Sequence, residues 1–146
     1  MRRIALYACL GVLSLSFSAC AKQTLEPRGL VTVNVAVVCT ADSVDISIKP
    51  YAVRVQEGDQ VQWQLTAASN ATELEINRKK NFASWPYDGP LPYKGNKQTP
   101  PKAGRMKEGQ ANKSFPYNII GTCKDSEGRD RRIIIDPDMI IIRRAQ

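Results

Sequence analysis

The chain has 146 residues, a net charge of +7 and no histidine. This length suits one domain and leaves too little chain for two of ordinary size. The absence of histidine excludes Ser-His and Cys-His catalytic pairs and His-bearing zinc sites. It also removes the side chain that most often acts as a general base near neutral pH. The composition therefore predicts a protein that is not an enzyme.

The N-terminus has the pattern of an export signal. Arg2 and Arg3 precede an uncharged apolar stretch at 4–17, and small residues follow that stretch. The stretch is too short for a membrane-spanning helix, which needs about 20 apolar residues. We therefore predict a signal peptide over residues 1–21. Its removal lowers the net charge from +7 to +5, because Arg2 and Arg3 leave with it.

Two ways of processing this signal remain open. Residues 17–20, FSAC, resemble a bacterial lipobox, in which cleavage leaves Cys20 as an acylated first residue. Residues 19–21 equally fit the small-x-small pattern of ordinary cleavage, which releases a soluble protein from Lys22. The first interpretation is favoured and predicts a periplasmic or membrane-anchored lipoprotein. The second predicts a secreted, unanchored protein.

The mature chain shows the alternating pattern of β-strands. After a polar tether at 22–29, residues 30–39 place valines and Cys39 on one face. Further alternating runs lie at 44–49, 51–55, 60–65 and 73–76. Alternation with one polar face is typical of antiparallel sheets that have one solvated side. We therefore predict an all-β, antiparallel sandwich over residues 30–146, without a long helix.

Regular alternation is absent between about 78 and 116. This segment holds six of the nine prolines and four of the nine glycines. Irregular loops of such length are uncommon in small domains and tend to be functional or disordered. Alternation resumes at 117–123, and an apolar closing strand follows, interrupted at Pro137. Because proline cannot donate to a sheet ladder, Pro137 predicts an edge position or a bend between two half-strands.

Two parts of this pattern resemble cupredoxin-like domains. In the first, Ile48-Lys49-Pro50 is followed by an EGD turn at 57–59 and by Val61-x-Trp63. In the second, residues 117–123, YNIIGTC, precede a polar loop and an apolar closing strand. The second part resembles the region that holds the family's copper cysteine. The resemblance covers about 30–142 and implies a Greek-key, cupredoxin-like β-sandwich.

The resemblance does not extend to the metal site. A type 1 copper site takes two imidazoles and one thiolate, usually with a weak axial thioether. Only Cys123 matches that ligand pattern, and the loop at 124–132 contains neither His nor Met. We therefore predict a cupredoxin-like domain without copper and without another cofactor.

Cys39 and Cys123 remain as one pair after processing. Cys9 leaves with the signal, and Cys20 either leaves or carries the lipid. Both remaining cysteines lie on inward faces of predicted strands, and an exported chain meets an oxidising compartment. We therefore predict a disulfide. The alternatives are two unpaired buried thiols, or a soft Cu(I) or thiol-redox site with Met106 or Met139 as thioether.

The irregular loop combines basic and aromatic residues. Between 78 and 113 it has nine Lys and Arg against two Asp and Glu, with four aromatic residues interleaved. One interpretation is a surface that binds anions or a partner. The other is a solvated loop in which Trp85 and Phe82 plug one end of the sandwich. The candidate surface comprises Arg78, Lys79, Lys80, Trp85, Tyr87, Tyr93, Lys94 and Lys97.

These observations predict a non-enzymatic binding or structural module of the cell envelope. Its candidate partners are an anionic envelope lipid, a polysaccharide or a protein, with membrane attachment through Cys20. Nucleic acid is disfavoured, because export places the chain where nucleic acid is scarce. The alternative is a thiol-redox or Cu(I)-handling protein that uses Cys39 and Cys123.

Overall fold

The computed structural model describes residues 28–82 and 84–144. The predicted signal peptide, Cys20 and most of the predicted tether lie outside these residues. The described part of the chain is all-β, as predicted, and contains no helix. Its strands are β1 (Leu30–Cys39), β2 (Val44–Lys49), β3 (Ala52–Gln56), β4 (Gln60–Leu65), β5 (Glu73–Arg78), β6 (Tyr93–Gly95), β7 (Lys113–Lys124), β8 (Asp130–Ile135) and β9 (Asp138–Ile142).

The strands form two sheets in a sandwich-like arrangement. The first sheet has the order β2-β1-β4, and the second has the order β3-β9-β7-β5-β6, with β8 also paired to β7. Both sheets are mixed, because β1 runs parallel to β4 and β3 runs parallel to β9. The prediction of a purely antiparallel sandwich is wrong for these two pairs. Alternation indicates which side chains face the core. Parallel and antiparallel strands have the same alternation, so the pattern does not indicate strand direction.

One hydrophobic core lies between the sheets. From the first sheet, Val33, Val35, Val61 and Trp63 are all 0% exposed. The second sheet contributes inward residues of β5, β7 and β9, namely Leu74, Ile76, Tyr117, Ile119, Met139 and Ile141. The faces that the alternating pattern predicted as buried are therefore the faces that pack together.

The sheets approach closely at Gly121 on β7. A Cβ atom at this position would lie 2.6 Å from Cγ2 of Val37 on β1, which is closer than real Cβ contacts. Glycine therefore allows β7 to pass close to β1, two residues before Cys123. This close approach brings the ends of the two strands together.

The segment between β5 and β7 is part of the folded structure. It contains the short strand β6, and β7 begins at Lys113, inside the predicted loop. Its middle runs along the edge of β4, where the backbone N–H of Trp63 donates to Pro101 O at 3.0 Å. The backbone N–H of Ala103 donates in return to Val61 O at 2.8 Å. The loop thereby covers an edge that would otherwise present unpaired backbone groups.

Candidate functional site

The two cysteines that remain after processing lie close together at one end of the sandwich. Cys39 ends β1 in the first sheet, and Cys123 lies near the end of β7 in the second. Their Cα atoms are 6.3 Å apart, which is a disulfide-bonding distance, although 84 positions separate them in the sequence. A bond between them would connect the two sheets.

Both cysteines are buried. Cys39 is 8% exposed and Cys123 is 0% exposed. The side chain of Asn70 covers the backbone of Cys39, accepting a hydrogen bond from its N–H and donating one to its carbonyl, both at 2.8 Å. Thiol–disulfide exchange requires an attacking thiolate to reach a sulfur atom. This burial therefore favours a structural role over a redox role.

One carboxylate organises the turn that follows Cys123. The side chain of Asp125 is 1% exposed. It accepts hydrogen bonds from the backbone N–H groups of Glu127 and Arg129, at 2.9 and 3.0 Å. The Nε atoms of Arg129 and Arg131 also donate to it, at 3.0 and 3.1 Å. Charge-assisted hydrogen bonds thus hold this turn.

The surroundings of Asp125 favour its charged form. Burial alone would raise the pKa of its carboxyl group, but hydrogen bonds from Arg129 and Glu127 and the charge of Arg129 outweigh it and lower the pKa to about 2. A carboxyl group in an unfolded chain has a pKa near 3.8. The folded state therefore stabilises the carboxylate more than the unfolded chain does.

The stability that Asp125 contributes is expected to disappear in acid. Because its pKa is lower in the folded state, the contribution is complete above pH 3.8 and is lost as the pH falls through about 2. Asp125→Asn should therefore unfold at a lower temperature than the parent at neutral pH. The difference in Tm should close as thermal unfolding is repeated at decreasing pH.

Asp130→Asn is the matched control for Asp125→Asn. Asp130 also follows Cys123, but its side chain is 67% exposed and pairs with Lys124 on the surface. Exposed ion pairs contribute little to stability. The Tm of this variant should stay close to that of the parent. A Tm deficit of Asp125→Asn that is equally large at every pH would contradict the role given to its charge.

The basic residues of the candidate surface are partly neutralised by acidic neighbours. Lys79 lies 2.8 Å from Asp136, and this hydrogen bond raises the pKa of Lys79. Lys94 on β6 lies 3.4 Å from both Glu73 and Glu75 on the adjacent strand. Each of these lysines therefore faces a carboxylate from another segment.

Other lysines of the loop bond to backbone carbonyl groups. Lys97 Nζ donates to Ala67 O at 3.0 Å and to Ser69 O at 3.2 Å. Lys107 Nζ donates to Trp85 O at 2.8 Å. These side chains connect separate segments of the chain, so part of the basic character of the loop serves to hold the loop in place.

The predicted cations are not gathered at one end of β5. Arg78 ends β5, and exposed Lys80 follows it. Lys94 lies on β6, opposite Glu75 of β5. Lys97 lies in the turn after β6 and donates to carbonyl groups of residues that precede β5. The candidate cations are therefore spread along the length of β5.

The aromatic residues of the candidate surface lie mostly in the core. Trp85 is 5% exposed, Tyr87 is 1% exposed and Tyr93 is half-buried. Their rings and those of Trp63 and Tyr117 form a cluster with centroid distances between 5.8 and 6.4 Å. The prediction that Trp85 and Tyr87 contribute to a binding surface is wrong. Large rings gain more by leaving water and packing together than by remaining exposed.

Hydrogen bonds orient this aromatic cluster. Trp63 Nε1 donates to Tyr117 Oη at 3.2 Å, and Trp85 Nε1 donates to Tyr93 Oη at 3.1 Å. Burial raises the pKa of Tyr117 to about 12, so this phenol stays neutral at physiological pH. Of the two rings predicted to plug the sandwich, Trp85 is inserted, whereas Phe82 is 45% exposed.

The described surface also has an open polar cleft of about 410 Å³. It is lined by Thr72, Glu73, Lys94, Gly95 and Asn96. Its two charged residues, Glu73 and Lys94, lie 3.4 Å apart and offset each other. Within residues 28–82 and 84–144, no three His, Cys, Asp or Glu side chains are placed to share a metal ion.

Sequence reasoning missed a charged pair at the opposite end of the sandwich from the cysteines. The guanidinium group of Arg144 donates to the carboxylate of Asp59, which is 8% exposed. These residues are 85 positions apart, and neither lies in a recognisable motif. Only the meeting of the β3–β4 turn with the C-terminal end of β9 brings them together.

No protein-family model, curated protein or solved structure matches the chain. In the part of the chain that the structure describes, no helix has the length and apolar character needed to span a bilayer. A function for this protein therefore rests on its own residues and their geometry.

Proposed function

We propose that the chain is an exported, non-enzymatic binding or structural module of the cell envelope, with a cupredoxin-like Greek-key fold that lacks copper. The observation that carries this proposal is the position of Cys123. On this proposal it corresponds to the family's copper cysteine, and it lies at disulfide distance from Cys39, with both residues buried. In the proposed fold, a disulfide between the two sheets therefore takes the place of the thiolate that would bind copper.

Three further features support the cupredoxin-like assignment. The fold is all-β with two sheets, and Trp63 of the Val-x-Trp motif lies in the core between them. Cys123 lies at the end of a strand, directly before an ordered turn. The closing segment then pairs with that same strand as β8 and β9. The chain contains no histidine to complete a type 1 copper site.

The geometry favours this function over the Cu(I) alternative. Met106 Sδ accepts a hydrogen bond from the backbone N–H of Gly58 at 3.3 Å. The carbonyl of Gly58 accepts a hydrogen bond from the N–H of Arg28, so Met106 lies near the start of β1. Cys39 is the last residue of that strand. A strand of ten residues spans about 30 Å, so Met106 is too far away to join the cysteines as a ligand.

Export and attachment to a membrane complete the proposal. The apolar stretch at 4–17 and the FSAC motif at 17–20 support a signal peptide and acylation of Cys20. An oxidising compartment would also favour formation of the Cys39–Cys123 link. The proposed module is therefore a lipoprotein that presents its β-domain at a membrane surface.

Counting thiols in the exported protein tests the proposal. We expect no titratable thiol in denatured protein from the periplasm or envelope, because Cys39 and Cys123 are bonded and Cys20 is either acylated or removed. We also expect no stoichiometric uptake of Cu(I). Two titratable thiols together with one bound Cu(I) per chain would overturn the proposal in favour of the alternative.

Mass spectrometry of the mature N-terminus and cell fractionation test the location separately. An acylated chain that begins at Cys20, recovered with membranes, is the expected result. A chain that retains residues 1–21 in the cytoplasm would overturn the export part of the proposal.

A further inference from the structure

Segments that are distant in the sequence meet at the end of the sandwich where β1 begins. The N–H of Arg28 donates to Gly58 O at 3.0 Å, and the N–H of Glu57 donates to Ile142 O at 2.9 Å. The segment before β7 joins them, because the N–H of Gln110 donates to Glu57 Oε1 at 3.1 Å. We call this surface the basal end, and it comprises residues 28–30, 57–60, 107–113 and 142–144.

The basal end carries an excess of positive charge. Its acidic residues are Glu57, Asp59 and Glu108. Glu57 binds backbone N–H groups of the adjoining segment, and Asp59 is buried against Arg144. Two of the three carboxylates are therefore engaged within the fold. Among the cations, Arg144 pairs with Asp59, and the ammonium groups of Lys107 and Lys113 bond to backbone carbonyl groups. The excess is five basic residues against three acidic ones. The basic residues are Arg28, Lys107, Lys113, Arg143 and Arg144.

An exposed apolar side chain lies beside these cations. Leu30, the first residue of β1, is 52% exposed. Surfaces that bind the interface of anionic bilayers combine cations, which attract lipid phosphates, with apolar groups that enter the headgroup region. The basal end contains both kinds of side chain.

The predicted lipid anchor is close to this end in the sequence. Cys20 and Arg28 are eight positions apart, and an extended chain of that length spans at most about 29 Å. Acyl chains on Cys20 would thus keep the basal end near the bilayer. The cysteine pair lies at the other end of β1, a strand of ten residues that spans about 30 Å.

We propose that the basal end docks on the anionic phospholipid headgroups of the membrane that holds Cys20. This inference rests on the proposed envelope location and adds a partner and an orientation to it. The lipid attaches the chain to the membrane, and contact through the basal end orients the domain. The opposite end, with the cysteine pair, then faces away from the membrane. The contact is electrostatic in origin, so it weakens as salt rises.

Binding to vesicles by the chain without its lipid tests the proposal. Cys20→Ala removes the acylation site, and the exported chain is then mixed with vesicles of phosphatidylglycerol and phosphatidylcholine, or of phosphatidylcholine alone. We expect cosedimentation with the anionic vesicles at low salt, and much less at high salt or with phosphatidylcholine. Absence of binding to anionic vesicles at low salt would overturn the proposal.

Two triple variants with the same net charge identify the surface. The first variant reverses three charges at the basal end, by Arg28→Glu, Lys113→Glu and Arg143→Glu. Its affinity for anionic vesicles should fall on the order of a hundredfold. Lys49→Glu, Arg54→Glu and Lys80→Glu change exposed residues elsewhere and should cause a much smaller loss. Thermal unfolding establishes that both variants are folded.

The two triple variants separate docking from a general effect of charge. An equal loss of vesicle binding in both would overturn the basal end as the contact surface. Fractionation of the native, acylated chain tests the envelope location independently. Membrane recovery of that chain, combined with a basal-end variant that binds vesicles as the parent does, would overturn this inference and leave the proposed function standing.

Discussion

Replacing Cys39 and Cys123 together with alanine is expected to lower the free energy of unfolding by several kcal/mol. For a link between residues 84 positions apart, the chain-entropy relation gives about 4.5 kcal/mol. A small domain typically has only about 5 to 15 kcal/mol of stability in total. Denaturant unfolding of the oxidised parent and of the double variant, under the same conditions, measures the difference.

The single variants Cys39→Ala and Cys123→Ala are the controls for this experiment. Each breaks the same link, so each should lose about as much stability as the double variant. The three losses should therefore be strongly non-additive. A double variant within about 0.5 kcal/mol of the parent would show that the two cysteines are not bonded in the native protein.

Trp85→Ala is expected to lower the free energy of unfolding by about 3 to 5 kcal/mol, the usual cost of removing a large buried ring. Trp85 is 5% exposed, and its ring centroid lies 6.1, 6.4 and 6.0 Å from those of Tyr87, Tyr93 and Tyr117. The variant also loses the hydrogen bond from Trp85 Nε1 to Tyr93 Oη. Denaturant unfolding measures the loss, and limited proteolysis should cleave first within residues 84–112.

Phe82→Ala is the matched control in the same loop. The Phe82 ring is 45% exposed, so its removal should cost less than about 1 kcal/mol. Proteolysis of this variant should follow the pattern of the parent. Equal, small losses for Trp85→Ala and Phe82→Ala would contradict a buried anchor. That result would restore the interpretation of Trp85 as part of a binding surface.

The strands are the part of the fold that sequence patterns predicted best. Residues 30–39 were predicted as a strand, and β1 covers Leu30–Cys39. The interruption at Pro137 was predicted as an edge or a bend between half-strands, and it separates β8 from β9. These two strands pair with different halves of β7. Such features are local, because alternation and the missing proline N–H act within a few residues.

The candidate site was harder to predict than the strands. Prolines and glycines remove periodicity from residues 78–116, so no pattern indicated which of its side chains point inward. Trp85 fitted both a binding surface and a plug of the sandwich, and Lys107 looked like one more basic residue of the loop. In the fold, the Trp85 ring is buried, and Lys107 binds the carbonyl of Trp85. These roles depend on neighbours that only the folded chain supplies.

The amino-acid sequence was enough to indicate the strands, their buried faces and the closeness of Cys39 to Cys123, because local alternation and a cysteine count carry that information. The folded structure was needed for the parallel pairs β1–β4 and β3–β9, since alternation does not depend on strand direction. It was also needed to find the basal end. Arg28, Lys113 and Arg143 are far apart in the chain, and hydrogen bonds between strand ends bring their segments to the same end of the sandwich.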